Sequence, residues 1–358
     1  MVLAVLALRK EEVNSGTLLP MPDFSIGVDL GGTNLRIAAV SIDGQLLEKI
    51  TLGVKVALGR DHVIGEMCDA IHRLTEQYRG SGRFVGAGIG VPGIIDMETG
   101  MMRMSANLPG WADYPVRDEI ERRLGARVFL DNDAKMAALG EKWMGAGRDV
   151  DNMAMITLGT GIGGAIILNG KIVYGMNGMA GEFGHVTIEP NGVPCGCGNH
   201  GCAERYASAT AVVRMAREAI ESGQAPALAK AASSDAEFSA RSIYNLAIQG
   251  NEDARKIFHR FGVSLGILLA GLINILNLEM FVIGGGVISA WDAFAPPMFA
   301  ELRERSLVYA ATAPEDPVGK KEGASAQIAN YTRKKTIITQ ALLGSDAGLY
   351  GAARVPTA

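Results

Sequence analysis

No Gly-Lys-Ser or Gly-Lys-Thr step occurs anywhere in the 358-residue chain, which excludes a Walker-type phosphate loop. No Lys/Arg block interrupts the even spread of 34 basic and 38 acidic residues, whose formal balance is −4. Neither nucleic acid nor a membrane surface is therefore expected as a partner. The longest apolar run, Leu265 to Leu278, contains Asn274 and Asn277 and is too short to cross a bilayer. The start, MVLAVLALRKEEVNSGTLLPMP, lacks the order of a secretory signal, because its basic residues follow the apolar stretch and no small-x-small cleavage site comes after. We read residues 1–22 as a disordered extension, with Met21 as an alternative start, and expect a cytoplasmic protein. Cysteine is scarce at four residues, three of them clustered, which fits a reducing compartment rather than a disulfide framework.

What is present is ordinary for a large globular core, 48% apolar and 20% charged residues, in a length that suggests two domains. Glycine is abundant at 46 residues, the composition of a chain with many tight loops that bring bare backbone close to ligands.

One stretch stands out, MAGEFGHVTIEPNGVPCGCGNHGCAER from Met179 to Arg205. Cys195, Cys197 and Cys202 with His185 upstream form the ligand set of a closed tetrahedral zinc site. Gly196, Gly198 and Gly201 lie between the thiols, where a metal knuckle needs unusual backbone angles. Glu182 and Glu204 bracket the cluster. On this reading zinc shapes a pocket in which the neighbouring acids bind a polyol. A knuckle without a substrate role, or buried thiols without metal, remains open on the spacing alone.

Ahead of this stretch the segment from Asp23 reads as three strands, Ser25–Leu30, Leu35–Ser41 and Gln45–Leu52, the last two joined by an Asp43-Gly44 turn. Gly31-Gly32-Thr33-Asn34 between the first two offers bare N–H groups to an anion. The same order recurs as strand Ala154–Leu158, glycine loop Gly159–Gly164, strand Ala165–Leu168, turn Asn169-Gly170 and strand Lys171–Tyr174. Two copies suggest a duplicated architecture with one phosphate loop from each half. Gly88-x-Gly90-x-x-Gly93 and Gly159-x-Gly161-x-x-Gly164 match a dinucleotide string, but strand-forming residues follow both where that fingerprint needs a helix.

Between the copies we expect helix His62–Tyr78, strand Phe84–Val91, the loop Asn107 to Trp111, helix Val116–Leu124 and strand Arg127–Leu130 running into Asp131-Asn132-Asp133. A carboxylate there is placed for chemistry at a strand end, though Asn132 or Asp133 is equally a natural helix N-cap. Beyond the cysteines come helices over Tyr206–Gly223, Ala236–Gly250 and Asn251–Leu276, then strand Met280–Ile283. Gly284-Gly285-Gly286 follows and suits a flat adenine or ribose laid on backbone, or a plain strand-to-helix turn. Pro314–Thr332 reads as a polar surface loop, and LLGSDAGLYGAA as a Gly/Ala-rich helix able to pack closely.

From about Asp23 to Ala353 these residues together resemble the ROK sugar kinases of the actin–hexokinase–Hsp70 ATPase superfamily. DLGGTN is similar to the first phosphate motif of that family and LGTGIGGA to its second. GEFGH with CGCGNHGCAE resembles its sugar-and-zinc signature, and LPGW and the GSDAGLYGAA ending resemble the glucokinase branch. Ala203 stands where many glucokinases carry Trp, and the Pro314–Thr332 loop is longer than usual.

The resemblance implies a two-domain actin-like ATPase (ribonuclease H-like) α/β fold, with duplicated βββαβα units around a cleft and an inserted zinc knuckle. Residues 23–137 would form the small domain, completed by a C-terminal helix within 342–358, and 138–341 the large one. It implies ATP- and Mg²⁺-dependent phosphorylation of a hexose 6-hydroxyl, with Asp133 as the catalytic aspartate. Sugar contacts would come from Asn107, Asn132, Asp133, Glu182, His185 and Glu204, and zinc ligands from His185, Cys195, Cys197 and Cys202. Nucleotide and metal contacts would come from Asp29, Gly31, Gly32, Thr33, Asn34, Gly159, Thr160, Gly161, Gly163, Gly164, Gly284, Gly285 and Gly286. A homodimer is implied as well. Glucose is favoured over mannose, fructose, N-acetylmannosamine or N-acetylglucosamine. A repressor of the same family would need a helix-turn-helix arm, for which residues 1–22 offer no helix pair.

Overall fold

The computed structural model describes residues 22–80, 82–105, 108–232, 238–314 and 334–358. The expected N-terminal extension, Asn107 and nearly all of the Pro314–Thr332 loop lie outside these residues.

The first unit opens with β1 (Phe24–Leu30), β2 (Asn34–Ser41) and β3 (Leu46–Gly53), paired antiparallel in turn. β1 is buried along nearly its whole length, while β3 alternates half-buried and exposed residues as an edge strand does. α1 (Arg60–Tyr78) buries Val63, Ile64, Met67, Ile71 and Leu74, a stripe at helical spacing. β4 (Phe84–Val91) joins β1 in parallel. A short hairpin, β5 (Ile94–Ile95) with β6 (Met102–Met104), follows; it was not expected from sequence. α2 (Val116–Leu124) ends at Gly125 with φ 62°, a left-handed cap that glycine adopts without penalty. β7 (Val128–Asn132) lies parallel to β4 and runs directly into α3 (Asp133–Met144).

The second unit repeats the plan. β8 (Met153–Leu158), β9 (Ile162–Leu168) and β10 (Lys171–Ile172) pair antiparallel in turn, and β11 (Met280–Gly284) and β12 (Ile337–Gln340) extend the sheet in parallel. The two five-stranded sheets have the orders β3-β2-β1-β4-β7 and β10-β9-β8-β11-β12, position for position the same topology. The duplication read from the sequence is therefore a property of the fold. The second glycine loop is shorter than expected, since β9 begins at Ile162 and Gly163 and Gly164 pair with Thr157 and Ile156 inside the ladder. These two glycines serve packing. A Cβ on Gly164 would lie 2.2 Å from the Phe183 ring, and one on Gly163 2.9 Å from Ala134 Cβ.

Helices α4 (Ala209–Glu221), α5 (Pro226–Ala232), α6 (Ala240–Ile248) and α7 (Glu252–Leu276) cover the second sheet. α4 starts later than expected because Ser208 caps it, accepting from the Ala211 amide. α7 is the one helix among the described residues long and apolar enough to cross a membrane, but over half of that window is buried in the protein. α8 (Trp291–Arg305) packs along α7 and α9 (Leu307–Thr312) follows it. The sequence reading placed no helix over α8, whose Pro296 and Pro297 argue against one; they sit in its second turn, where each removes one amide bond, and burial of Phe294, Ala295, Met298 and Leu302 in the second core holds the helix across them. α10 (Ala347–Arg354) returns to the first sheet. A Cβ on Gly27 would lie 2.1 Å from Leu349 O and one on Gly88 1.9 Å from Ala352 O, so the helix rests on bare strand backbone. Glu141 of α3 is fully buried and accepts from the amides of Leu342 and Leu343 at 3.1 and 2.8 Å, fixing the chain as it crosses back.

Candidate active site

In the first sheet β1, β4 and β7 lie side by side in parallel, with Asp29 opposite Gly90 and Gly90 opposite Asp131. The ends of these strands carry Asp29, then Asp131, Asn132 and Asp133, two strand spacings of roughly 4.8 Å away. Asn132 is the N-cap of α3, its Oδ1 accepting from the amides of Ala134 and Lys135, and its Nδ2 donates to Gly93 O at 3.2 Å. One amide hydrogen of Asn132 is left for a ligand.

Asp133 follows as the first residue of α3, and its Oδ1 accepts from the Ala134 amide at 2.9 Å. Burial pushes its carboxyl up to about 7, and the negative charges of Asp29 and, more weakly, Glu182 push the same way against the local amide bonds. Asp133 thus keeps a slim contact with solvent in surroundings that are otherwise protein. Gly90 lies close beneath it, where an added Cβ would be in ordinary contact with the Asp133 Cα at 3.5 Å and tight against the Met136 side chain at 3.2 Å.

Asp29 is not free. It pairs with Arg36 of β2, its antiparallel neighbour, at 3.0 Å. Burial raises the Asp29 carboxyl and Arg36 works against that. Arg36 escaped the sequence reading, although the register of the Gly31–Asn34 turn places it opposite Asp29. In that turn Gly31 N donates to Asn34 O at 2.9 Å and Val54 N to Thr33 O at 2.8 Å, while Gly32 and Thr33 are exposed.

The second turn, Gly159–Gly161, faces a different set of groups. Gly159 O accepts from Ala209 N at 2.9 Å, and Thr160 O accepts from Thr210 Oγ1 at 2.7 Å, so the start of α4 holds the loop. Gly284 ends β11 opposite Thr157, and Gly285 at φ 92° lies so close to Leu158 that a Cβ would fall 2.4 Å from its carbonyl oxygen. The third glycine stretch therefore adjoins the second. A Cβ on Gly161 would sit 2.5 Å from Glu204 Oε2, which brings the cysteine segment against the same turn.

In that segment the candidate ligand atoms of His185, Cys195, Cys197 and Cys202 lie within 4.8 Å of one another. Cys195 Sγ to His185 Nδ1 is 3.7 Å and Cys197 Sγ to Cys202 Sγ is 3.6 Å. Two thiolates about 2.3 Å from one tetrahedral ion would be about 3.8 Å apart, so the donors fit zinc. Gly198 and Gly201 take φ of 92° and 68°, as a knuckle requires, whereas Gly196 keeps an ordinary negative φ. His185 turns Nδ1 toward the cysteines and Glu204, 3.8 Å away, and Nε2 toward Glu182 at 4.0 Å.

Glu182 in turn lines a narrow crevice of about 10 Å³ with Asn132, Asp131, Lys135, Gly93, Ile94 and neighbouring residues. The structure thus gathers Asp29, Asn132, Asp133, Glu182, His185 and Glu204 between the two sheets. Trp111 of the LPGW motif is buried in the first core.

The sequence profile of the ROK family matches residues 25–330. The chain belongs to the ROK family. Among its ROK relatives, a glucokinase of Thermotoga maritima is 41% identical over 79% of this chain and 87% of that protein. A glucokinase of Halalkalibacterium halodurans is 36% identical over 91% of this chain and 92% of its own length. The crystal structure of a ROK glucokinase from Streptomyces griseus with glucose and AMPPNP shares the α/β fold at a TM-score of 0.73 and 31% identity, covering 92% and 98% of the two chains.

Proposed function

We propose that the protein is an ATP-dependent glucokinase that phosphorylates the 6-hydroxyl of glucose. The observation that carries the reading is Asp133, a carboxylate on the rim between the sheets with its carboxyl pushed up to about 7. A general base works best with a pKa near the working pH. Glucokinase relatives of this identity and coverage, one of them with glucose and an ATP analogue bound, support the substrate and the donor.

Phosphoryl transfer asks mainly for alignment and charge neutralisation. Asp133 accepts the proton of the 6-hydroxyl as that oxygen attacks the γ-phosphorus. Glu182, Glu204, the free N–H of Asn132, and Asn107 hold the ring hydroxyls, and His185 turns Nε2 to the sugar. The turns Gly31–Asn34 and Gly159–Gly161 grip phosphate oxygens from opposite sides through amides other than those of Gly31 and Gly159, which close the turns on Asn34 O and Gly161 O, with Thr33 and Thr160 beside them and Gly284–Gly286 under the nucleoside. Asp29, with Arg36 at its side, is the carboxylate available to hold Mg²⁺, which supplies charge neutralisation at the phosphates. His185, Cys195, Cys197 and Cys202 hold Zn²⁺, whose contribution is to fix the direction of His185 and Glu204. Residues 23–137 with 342–358 form one lobe and 138–341 the other, and closure of the lobes keeps water from the γ-phosphate. A homodimer acting in the cytoplasm in glycolysis completes the reading.

The test is a hexose panel with ATP and Mg²⁺, read as ADP release. Glucose should be the preferred acceptor. Activity on N-acetylmannosamine without activity on glucose overturns the substrate, and no activity on any hexose overturns the reaction.

A further inference from the structure

Lys135 goes against local preference twice. It is 4% exposed, where lysine is rarely found unpaired. It also stands in the first turn of α3, where the helix dipole disfavours a cation. Breaches of local rules of this kind concentrate at functional sites. Its ammonium Nζ donates to Gly178 O at 2.5 Å and lies 5.8 Å from the centroid of the Tyr174 ring. The Tyr174 hydroxyl donates to Asp131 Oδ2 at 2.8 Å, and Asp131 is 3% exposed. Asp131 and Lys135 thus project from the β7–α3 junction, on either side of Asn132 and Asp133. They grip two points, Tyr174 and Gly178, on the segment that leaves β10 for the cysteine cluster. That segment reaches Glu182 four residues after Gly178 and His185 three residues later. Lys135, Asp131, Asn132, Gly178 and Glu182 line one crevice.

We propose that Lys135 is a positioning residue of the hexose site, pinning the Gly178 carbonyl so that Glu182 and His185 stand at a fixed reach from Asp133. The inference rests on the hexokinase reading for its link to sugar, and on the described contacts alone for the tie itself. Lys135 acts through Glu182 and His185, so its loss weakens sugar binding and leaves the nucleotide side alone. The Gly159–Gly161 turn is held separately, by α4.

The experiment is Lys135→Met, which keeps an unbranched apolar stem and removes the donor, beside Tyr174→Phe, which removes only the hydroxyl bond to Asp131. Amide hydrogen exchange on the full protein without substrates should quicken about tenfold over residues 178–185 in Lys135→Met, the loss expected for one charge-assisted hydrogen bond. The KM for glucose should rise about tenfold, with the KM for ATP within about twofold of wild type. Tyr174→Phe should move both readouts the same way by a smaller factor, and carries the test if Lys135→Met does not fold. Unchanged exchange over 178–185, a parallel change in both KM values, or a lowered Tm with neither change overturns the proposal. A wild-type protein that phosphorylates no hexose removes the hexokinase reading, and the exchange result then decides the Lys135–Gly178 tie by itself.

Discussion

The turns Gly31–Asn34 and Gly159–Gly161 occupy the same place in two sheets of identical strand order, yet they are built differently. The first spans four residues between the Leu30–Leu35 pair and the second three between Leu158 and Ile162. One position before each closing pair, the first unit sets Asp29 against Arg36 and the second sets Thr157 against Gly163. The first unit therefore holds an ion pair at its rim, where the second has only a hydroxyl and a bare backbone. In exchange the second turn leans on α4, on Gly285 and on Glu204 from the cysteine segment. The backbone plan of a duplicated unit survives such divergence because it needs only hydrogen-bonded ladders and apolar alternation. The chemistry separates because side chains at turn-proximal positions are free of both demands. In this molecule Asp29, Asp131 and Asp133 gather on the first unit, and the metal-ligand cluster, flanked by Glu182 and Glu204, on the second.

The sharpest way to break this division is at Asp133. Asp133→Asn should lower turnover by about 10²–10⁴-fold, the usual worth of a general base. Glucose binding measured by calorimetry should stay close to wild type. Turnover near wild type would show that the acid side of the comparison carries no chemistry.

A smaller effect is expected from the other unit. Cys202→Ser removes one of the four clustered donors, and elemental analysis should then find less zinc than in wild type. Hexose affinity should fall about 10–100-fold, because His185 and Glu204 lose the anchor that aims them. Full hexose affinity in a zinc-free variant would make the knuckle a structural clip only.

Arg36 tests the feature that the second unit lacks. In Arg36→Met the buried Asp29 carboxyl loses the guanidinium that holds it down, so its pKa should rise further and its grip on a divalent cation weaken. The Mg²⁺ concentration for half-maximal turnover should rise several-fold, and Mn²⁺ binding followed by electron paramagnetic resonance should weaken with it. An unchanged Mg²⁺ requirement would leave Arg36 as a strand-pairing residue alone.

How much of this could be read beforehand depended on whether a local pattern carried the information. β4 and α2 match their expected bounds, because alternation and helical spacing act over a few residues. The cysteine cluster was legible because metal geometry restricts spacing. The extent of the second glycine loop was not, because Gly163 and Gly164 are dictated by Ala134 and Phe183, which approach from distant sequence. α8 was missed because two prolines outweigh packing in any local reading. Arg36 and Lys135 were missed for a shared reason. Each is meaningful only through a partner across a strand pair or a helix–loop gap, and an isolated cation in a sequence reads as solvated surface.

The mildest expected effect concerns stability and has a definite sign. An ordinary aspartate titrates near 3.8, and in the folded protein Asp133 titrates at about 7. The folded state therefore holds this proton more tightly than the unfolded chain does. The contribution of Asp133 to stability is complete below the unfolded value, declines as pH rises between the two values, and is gone above the folded one. Above pH 7 the protein buries a charge that the unfolded chain leaves in water. Asp133→Asn carries no such charge, so its Tm should exceed that of wild type at pH 8 and the gap should narrow as pH falls toward 5. Turnover in the wild type runs the opposite way, falling as pH drops below about 7 and the base becomes protonated. A Tm difference independent of pH would mean that the carboxylate is solvated in the folded protein. The rim of the first sheet would then be no more specialised for proton transfer than the rim of the second.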